Sequence, residues 1–261
     1  MPDTYSFRVR AFGCSIQVEA AEPEAYAVLE RYVFPSLPRC SSDHARPDIF
    51  IRIAQVEKQF ELSVDNEVMA TAAQPIGLVP DIIRALDEAV LQRLTTMRAV
   101  HAGVVQWGDR VLLLPGVTHA GKSSLVAELL RHGATYFSDE YALIDAEGMV
   151  HPYPRPLLVR NGSPEQSPML AEECNAAVGA APAPVGWVLS LTYGPASNWS
   201  IKEIPQSIGL LALLGNTPHI LAESPDLVDV FRRAIAGAAC YAGKRSDATH
   251  AVDHILRLIA A

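Results

Sequence analysis

The sequence predicts an α/β protein in two parts, a small α/β domain at residues 1–97 and a larger α/β domain at residues 98–261. Three observations predict this class. Stretches with alternating apolar residues are interspersed with stretches of helical spacing along the chain. A nearly all-apolar run at 110–115, RVLLLP, is typical of a strand buried on both faces of a sheet. A glycine-containing bend and an amphipathic pattern follow that run directly.

The composition favours a globular protein and argues against nucleic-acid-binding, membrane-spanning and secreted classes. The chain has 261 residues, of which 49% are hydrophobic and 19% charged, so it can bury a sizeable core. Its net charge of −8 and the lack of a basic block argue against a nucleic-acid partner. There is no apolar window of about 18 residues and no apolar signal core, so we expect no membrane span and no secretion. The widely separated cysteines suggest reduced thiols in a cytoplasmic protein. They are Cys14, Cys40, Cys174 and Cys240.

In the first domain, alternation predicts the strands and helical spacing predicts the helices. The predicted strands are YSFRVRAFG, CSIQVEA, PDIFIRIAQ and the hairpin QFELSVDNEVMATAA, whose turn falls at Asp65–Asn66. The predicted helices are EPEAYAVLERYV and GLVPDIIRALDEAVLQRLTTM. Pro80 fits near the start of the second helix, where a missing amide proton costs little.

The second domain opens with VHAGVVQWGDRVLLLPG, two strands around a Trp-Gly-Asp turn. A helix is expected from about Ser123 to His132, and ATYFSDEYALIDAEGMV then predicts a strand, a polar tip and a second strand. Residues 151–186 are rich in Pro, Gly, Ala and Ser and predict extended loops over the site. The remaining predicted strands are WVLSLTYG, WSIKEI and ACYAGKR, and the remaining helices PQSIGLLALLGN, PDLVDVFRRAIAGA and DATHAVDHILRLIA.

The bend after the apolar run matches the phosphate-loop pattern GxxxxGK[ST] without a gap. Its glycines let backbone amides approach anions closely, and the following helix N-terminus adds partial positive charge. Lys122 can reach the outer phosphates, and the Ser123 hydroxyl can ligate magnesium. The alternative is a chance match in an ordinary strand–turn–helix. Within the loop, His119 is interpreted as one of the four variable positions rather than as a catalytic residue. The residues expected to bind the nucleotide phosphates are Gly116, Val117, Thr118, His119, Ala120, Gly121, Lys122, Ser123 and Ser124.

Two adjacent carboxylates, Asp139 and Glu140, follow a short apolar strand downstream of the loop. Phosphoryl transfer needs a metal partner for the phosphates and a base for the attacking hydroxyl, and the pair can supply both. The alternative is a hairpin with exposed charges. His101 precedes the strand that is expected to pair with the strand leading into the loop, and a lone histidine is more often structural than catalytic.

Three segments carry a resemblance to a known family. VHAGVV, LPGVTHAGKSSLVAELLRHG and FSDEYALI resemble the catalytic core of HPr kinase/phosphorylase and its relatives, which are phosphoenolpyruvate-carboxykinase-like P-loop kinases. The resemblance covers about residues 98–160. It implies a P-loop kinase core preceded by a small N-terminal α/β domain. The segment PYPRPLLVRNGS is similar to shorter relatives, some of which phosphorylate a serine of ribosomally made precursor peptides, including lasso peptides.

The resemblance implies a serine kinase that uses ATP, or a similar phosphoryl donor, with magnesium. Asp139 would be the general base, with Lys122 and His101 as further catalytic residues. Ser123 and Glu140 would hold the metal. The acceptor would be a peptide or protein with a serine, with no nucleic acid or membrane involved, and a homo-oligomer is left open. Two arginines of the following segment are candidate phosphate or substrate contacts, Arg155 and Arg160.

The chain departs from the family in two places. It lacks the Asn-, Arg- and Met-rich region that follows the family core, and its tail does not resemble the HPr-docking end. HPr is therefore not the expected acceptor. Two alternatives stay open, a small-molecule kinase and a non-catalytic nucleotide-binding regulatory module. Lys244 and Arg245 lie at the end of the predicted strand ACYAGKR and could meet an anion, although no pattern singles them out.

Overall fold

The computed structural model describes residues 5–33, 46–117, 121–160 and 165–260. They form a mixture of helices and sheets, which confirms the predicted α/β class. The chain divides into two compact units. The first comprises the described parts of Met1–Leu94 and Leu158–Met169, and the second those of Thr95–Leu157 and Leu170–Ala261.

The first unit is built on a five-stranded sheet in the order β1-β2-β3-β4-β5. Only β2 and β3 pair in parallel, and α1 lies between them in the chain. The predicted hairpin turn at Asp65–Asn66 is confirmed, and both residues have positive φ. The elements are β1 (Tyr5–Ala11), β2 (Cys14–Ala20), α1 (Pro23–Tyr32), β3 (Ile49–Val56), β4 (Gln59–Val64), β5 (Glu67–Ala72) and α2 (Val79–Arg93).

Helical spacing explains how α2 covers this sheet. Its buried residues recur every three or four positions, so they form one apolar stripe. The stripe packs against β2 and β4. The helix ends at Arg93 rather than at the predicted residue 97, because Leu94 already has extended backbone angles and Met97 begins the next strand. The buried stripe is Val79, Ile82, Ile83, Leu86, Ala89 and Val90.

The second unit contains an eight-stranded sheet in the order β10-β9-β6-β7-β13-β15-β14, with β8 also paired to β6. Its elements are β6 (Met97–Trp107), β7 (Arg110–Pro115), α3 (Lys122–Arg131), β8 (Thr135–Ser138), β9 (Tyr141–Asp145), β10 (Val150–His151), β13 (Val185–Tyr193), β14 (Ser200–Glu203), α4 (Gln206–Leu214), α5 (Leu227–Ala234), β15 (Ala239–Arg245) and α6 (Ala248–Ile259). The short strands β11 (Leu157–Val159) and β12 (Ser167–Met169) pair with each other and, apart from Leu157, belong to the first unit.

Helices cover both faces of this sheet. A methyl group added to Gly103 of β6 would lie 2.7 Å from Val126 of α3, so this side of β6 faces α3. The alternate residues Ala102 and Val104 belong instead to a core cluster that includes residues of α4 and α5. The neighbouring strand β7 is buried along its apolar run, as the sequence predicted for a strand covered on both sides.

The directions of three neighbouring strands determine where their carboxyl ends lie. β7, β13 and β15 are mutually parallel, so the carboxyl ends of all three lie on the same side of the sheet. The loop after β7 therefore emerges beside the last residues of β13 and β15. In open α/β sheets, ligands bind in the crevice outside such carboxyl ends.

Extended loops were predicted over residues 151–186. The described part of this stretch contains only short strands and one 3-10 turn before β13 begins at Val185. None of the helices in the described parts of the chain combines the length and the apolar character needed to cross a bilayer.

The turn between β9 and β10 gives a test of the packing. Gly148 has φ +87°, and a methyl group there would lie 2.7 Å from the backbone nitrogen of Ala234. Gly108 also has positive φ, but a methyl group there would meet nothing within 4 Å. We expect Gly108→Ala to cost about 1 kcal/mol of strain and Gly148→Ala about 2–4 kcal/mol, because backbone atoms cannot move aside easily. Urea unfolding followed by circular dichroism measures both, and equal midpoints would contradict this packing.

Candidate functional site

The predicted phosphate loop begins where β7 ends, at Pro115. Gly116 and Val117 are described, whereas the predicted phosphate-binding residues Thr118, His119 and Ala120 lie outside the described residues. Gly121 has left-handed angles, φ +72° and ψ 25°, and directly precedes α3. A strand, a bend and a helix therefore follow one another as the motif requires, with a glycine at the position of positive φ.

Lys122 is the first residue of α3, and its ammonium group turns back onto the bend. Nζ donates to the carbonyl oxygens of Gly116 at 2.9 Å and Val117 at 3.1 Å. The residue is only 8% exposed. Burial lowers the pKa of Lys122, and the nearby charges of Glu140 and Asp139 oppose that shift. A phosphate that binds here would replace the two carbonyl oxygens as the partner of the ammonium group.

Asp139 and Glu140 lie between β8 and β9, two strands that pair one after the other along the same side of β6. β8 and β9 run in the same direction along β6, so the polar tip predicted between them is not a chain reversal. The Glu140 carbonyl accepts a hydrogen bond from the Ala102 amide at 2.9 Å, and the Ser138 hydroxyl accepts from the amides of Glu140 and Tyr141. An interruption of this kind redirects side chains, as β-bulges near active sites do.

His101 connects the loop lysine to one of these acids. Its Nε2 lies 2.7 Å from Glu140 Oε1 and 3.1 Å from Lys122 Nζ. One ring nitrogen cannot donate and accept at once, so a proton on Nε2 favours the bond to Glu140 and its absence favours a bond from Lys122. The sequence placed His101 before its strand, whereas the structure places it inside β6, opposite Tyr141, because β6 already begins at Met97.

Glu140 is held in its ionised form by these neighbours. Burial would raise the pKa of Glu140, but the hydrogen bond from His101 and the charges of His101, Arg155 and Lys122 together bring it below its ordinary value. Its side chain keeps 27% of its surface exposed. Glu140 is thus a charged carboxylate that solvent can reach.

Asp139 has a different environment although it is adjacent in sequence. It is fully buried, and its Oδ1 lies 3.5 Å from Arg155 Nε. The Tyr136 hydroxyl donates to the Arg155 carbonyl oxygen at 2.7 Å and lies 3.3 Å from Asp139 Oδ1. The guanidinium of Arg155, itself buried, thus compensates part of the charge of Asp139.

Of the other predicted site residues, two serines lie next to Lys122 and one arginine lies in the first unit. Ser123 is half-buried and Ser124 is exposed, both in the first turn of α3. Arg160 is exposed and belongs to the first unit, so its predicted contact with phosphate or substrate stays a prediction.

Arg245 contacts the predicted phosphate loop, although no sequence pattern singles it out. It ends β15, is 3% exposed, and its Nη2 donates to the Gly121 carbonyl oxygen at 2.8 Å. Burial lowers the pKa of its guanidinium, and electrostatic interactions with Tyr193 and Asp247 oppose that shift. The available signal was a basic residue at the end of a predicted strand. That signal becomes informative only once β15 is known to lie parallel to β7 in the same sheet.

Magnesium fits this set of residues in one specific way. Within the described ranges, no group of three or more His, Cys, Asp or Glu side chains is placed to hold a metal ion by itself. Magnesium sites of phosphoryl-transfer enzymes need no such cage, since substrate phosphates and water complete the coordination around one or two protein oxygens. The Ser123 hydroxyl and the Glu140 carboxylate have suitable chemistry for that limited role.

Comparisons with known proteins give a partial likeness to a solved structure. No family model matches the chain, and no curated protein matches it. Among solved structures, the chain is similar to the Hpr(Ser) kinase/phosphatase from Coxiella burnetii, with 14% sequence identity and a TM-score of 0.31. That similarity covers 62% of this chain and 98% of the other. A likeness at this level carries no weight for function, which has to be argued from the residues of the site.

The contact between Gly121 and Arg245 can be tested directly. A methyl group at Gly121 would lie 2.6 Å from Arg245 Nη2, whereas one at Gly133 would meet nothing within 4 Å. Both glycines have positive φ, so each alanine variant carries about 1 kcal/mol of backbone strain. We expect Gly121→Ala also to displace Arg245 and to weaken ADP binding roughly tenfold by calorimetry. Gly133→Ala is the matched control, and equal ADP affinities in the two variants would contradict the role of this contact.

Proposed function

We propose that this protein is an ATP- and magnesium-dependent kinase that transfers a phosphoryl group to a serine hydroxyl of a peptide or protein. Ribosomally made precursor peptides of the lasso type are the first acceptors to test. The observation that carries the proposal is the contact chain from Lys122 Nζ through His101 Nε2 to Glu140 Oε1, with contacts of 3.1 Å and 2.7 Å. It joins a phosphate-loop lysine to Glu140, one of two adjacent carboxylates, and phosphoryl transfer requires acidic groups close to the phosphates.

The donor phosphates would lie along residues 116–124. Lys122 would exchange its two loop carbonyl partners for phosphate oxygens, which restores to the ammonium group the stabilisation that burial removes. The first turn of α3 would add backbone amides and the positive end of its dipole. Magnesium, when bound, would neutralise developing charge on the phosphates, with Ser123 and Glu140 as its protein oxygens.

Asp139 would take the proton from the acceptor hydroxyl. The hydroxyl oxygen attacks the terminal phosphorus, the bond from that phosphorus to the bridging oxygen breaks, and ADP leaves with the electron pair. Arg155 pairs with Asp139 at 3.5 Å in this structure, so we infer that the guanidinium turns to the incoming phosphate and frees the carboxylate to accept the proton. His101 would hold Glu140 in place beside Lys122. Most of the rate then comes from positioning and charge stabilisation.

The reaction class is tested by incubating the protein with γ-labelled ATP, magnesium and candidate peptides encoded nearby. We expect label on a serine, located by mass spectrometry. Label on a small metabolite instead would favour a small-molecule kinase. Nucleotide binding with no transfer to any acceptor would favour a regulatory module.

The role of Asp139 is tested by Asp139→Asn, which keeps the shape of the side chain and removes its basicity. We expect transfer to fall by about 10²–10⁴-fold, the usual contribution of a general base, while ADP affinity changes little. Single-turnover transfer and calorimetry measure the two quantities.

Asp145→Asn is the control, because Asp145 is an aspartate at the far end of β9 that pairs with His151 of β10 at 2.7 Å, away from the phosphate loop. It should leave transfer unchanged. Undiminished transfer in Asp139→Asn would refute the assignment of the base, and loss of ADP binding would show that Asp139 serves the fold of the site instead.

A further inference from the structure

Tyr193 is an aromatic residue at the carboxyl ends of the parallel strands, where the predicted phosphate loop also begins. It is the last residue of β13, and its register partner in β15 is Arg245. The first part of β13 is largely buried, but its last two residues, Thr192 and Tyr193, are exposed. Tyr193 keeps 47% of its surface accessible, although the ring is large and apolar. The end of the strand therefore extends beyond the core and presents an aromatic ring beside the loop.

Arg245 fixes this ring next to the loop. Its guanidinium carbon lies 5.3 Å from the centre of the Tyr193 ring, within the range of a cation–π contact. The same guanidinium donates through Nη2 to Gly121 at 2.8 Å and through Nη1 to the Ser246 carbonyl at 2.9 Å. The Gly194 amide also donates to the Arg245 carbonyl at 3.0 Å, which ties the ends of the two strands together. One buried side chain thus sets the distance between the aromatic ring and the glycine of the phosphate loop.

We propose that Tyr193 forms the base subsite of the donor nucleotide, on which the nucleobase stacks. The inference rests on the proposed function, since it takes the phosphates to lie along residues 116–124. In a nucleotide, a ribose separates the base from the phosphates, and here a single guanidinium separates the ring from Gly121. The site also lies outside the carboxyl ends of parallel strands, where α/β sheets bind their ligands.

The chemistry of the ring predicts how selective this subsite is. Stacking uses the π-face that every base has and reads no hydrogen-bond pattern. Arg245 occupies one part of the ring surface, and the exposed part remains for the ligand. Tyr193 should therefore contribute to the binding of ATP and GTP alike. It should contribute nothing to a ligand that has phosphates but no base.

The experiment compares three magnesium-loaded ligands, ATP, GTP and inorganic tripolyphosphate, by calorimetry on the full chain. We expect Tyr193→Ala to weaken ATP and GTP about tenfold, in keeping with the loss of one stacking contact, and to leave tripolyphosphate within about twofold. Tyr193→Phe keeps the ring and should bind as the natural chain does. Leu211→Ala is the control, because Leu211 is a large apolar residue of the same unit that is 61% exposed, on α4.

Each other outcome overturns the inference. Equal weakening of ATP and tripolyphosphate would mean that Tyr193 acts on the loop through Arg245 and not on the base. Unchanged ATP affinity would mean that the ring is not in the site. If the natural chain binds tripolyphosphate but no nucleotide, the base subsite fails while the phosphate site stands, and if it binds neither, the proposed function fails as well.

A spectroscopic measurement keeps the proposal testable if Tyr193→Ala does not fold. In the natural chain with labelled tyrosine, ATP should shift the ring proton resonances of Tyr193 upfield, as stacking under a base does, and tripolyphosphate should not. Tyr193→Phe identifies the resonances. The absence of an ATP-specific shift at saturation would refute the stacking contact.

Discussion

The contact chain between Lys122, His101 and Glu140 is the interaction on which the rest of the site depends. It joins a helix N-terminus, the middle of β6 and the interruption between β8 and β9, which are far apart in the chain. Each member is largely withdrawn from water, so its polar group requires a partner at close range. The three side chains therefore hold one another in position, and a ligand of the loop would meet a lysine and a carboxylate that are already oriented.

The break between β8 and β9 gives the adjacent acids Asp139 and Glu140 different surroundings. Adjacent residues of a regular strand point to opposite faces, and here the Ser138 hydroxyl and the Ala102 amide hold an irregular backbone instead. One carboxylate becomes fully buried beside Arg155, and the other remains accessible beside His101. Two groups of the same chemistry thereby acquire different environments, which is how paired acids take different roles in one reaction.

The sequence predicted most elements because their periodicity is local. Alternation and helical spacing identified the strands and helices of both units, and the double burial of β7 was visible in its apolar run. The glycines, lysine and serine of the loop were likewise recognisable, since the spacing of a phosphate loop is a property of one short segment. The end of α2 and the true start of β6 were misplaced by three or four residues, because a strand can follow a helix there with little change in composition.

What only the tertiary structure decided is which distant residues share the site. No sequence pattern predicts that Arg245 contacts Gly121, or that Tyr193 lies near them. Both follow from the strand order, which places β13 and β15 parallel to β7. The burial of Asp139 and the contact of His101 with Glu140 likewise depend on pairing between strands. The sequence by itself determined the local elements and the loop motif, because these follow from neighbours in the chain. The partners of each charge were decided by the fold, because contacts across a sheet depend on strand order and register, which no local pattern specifies.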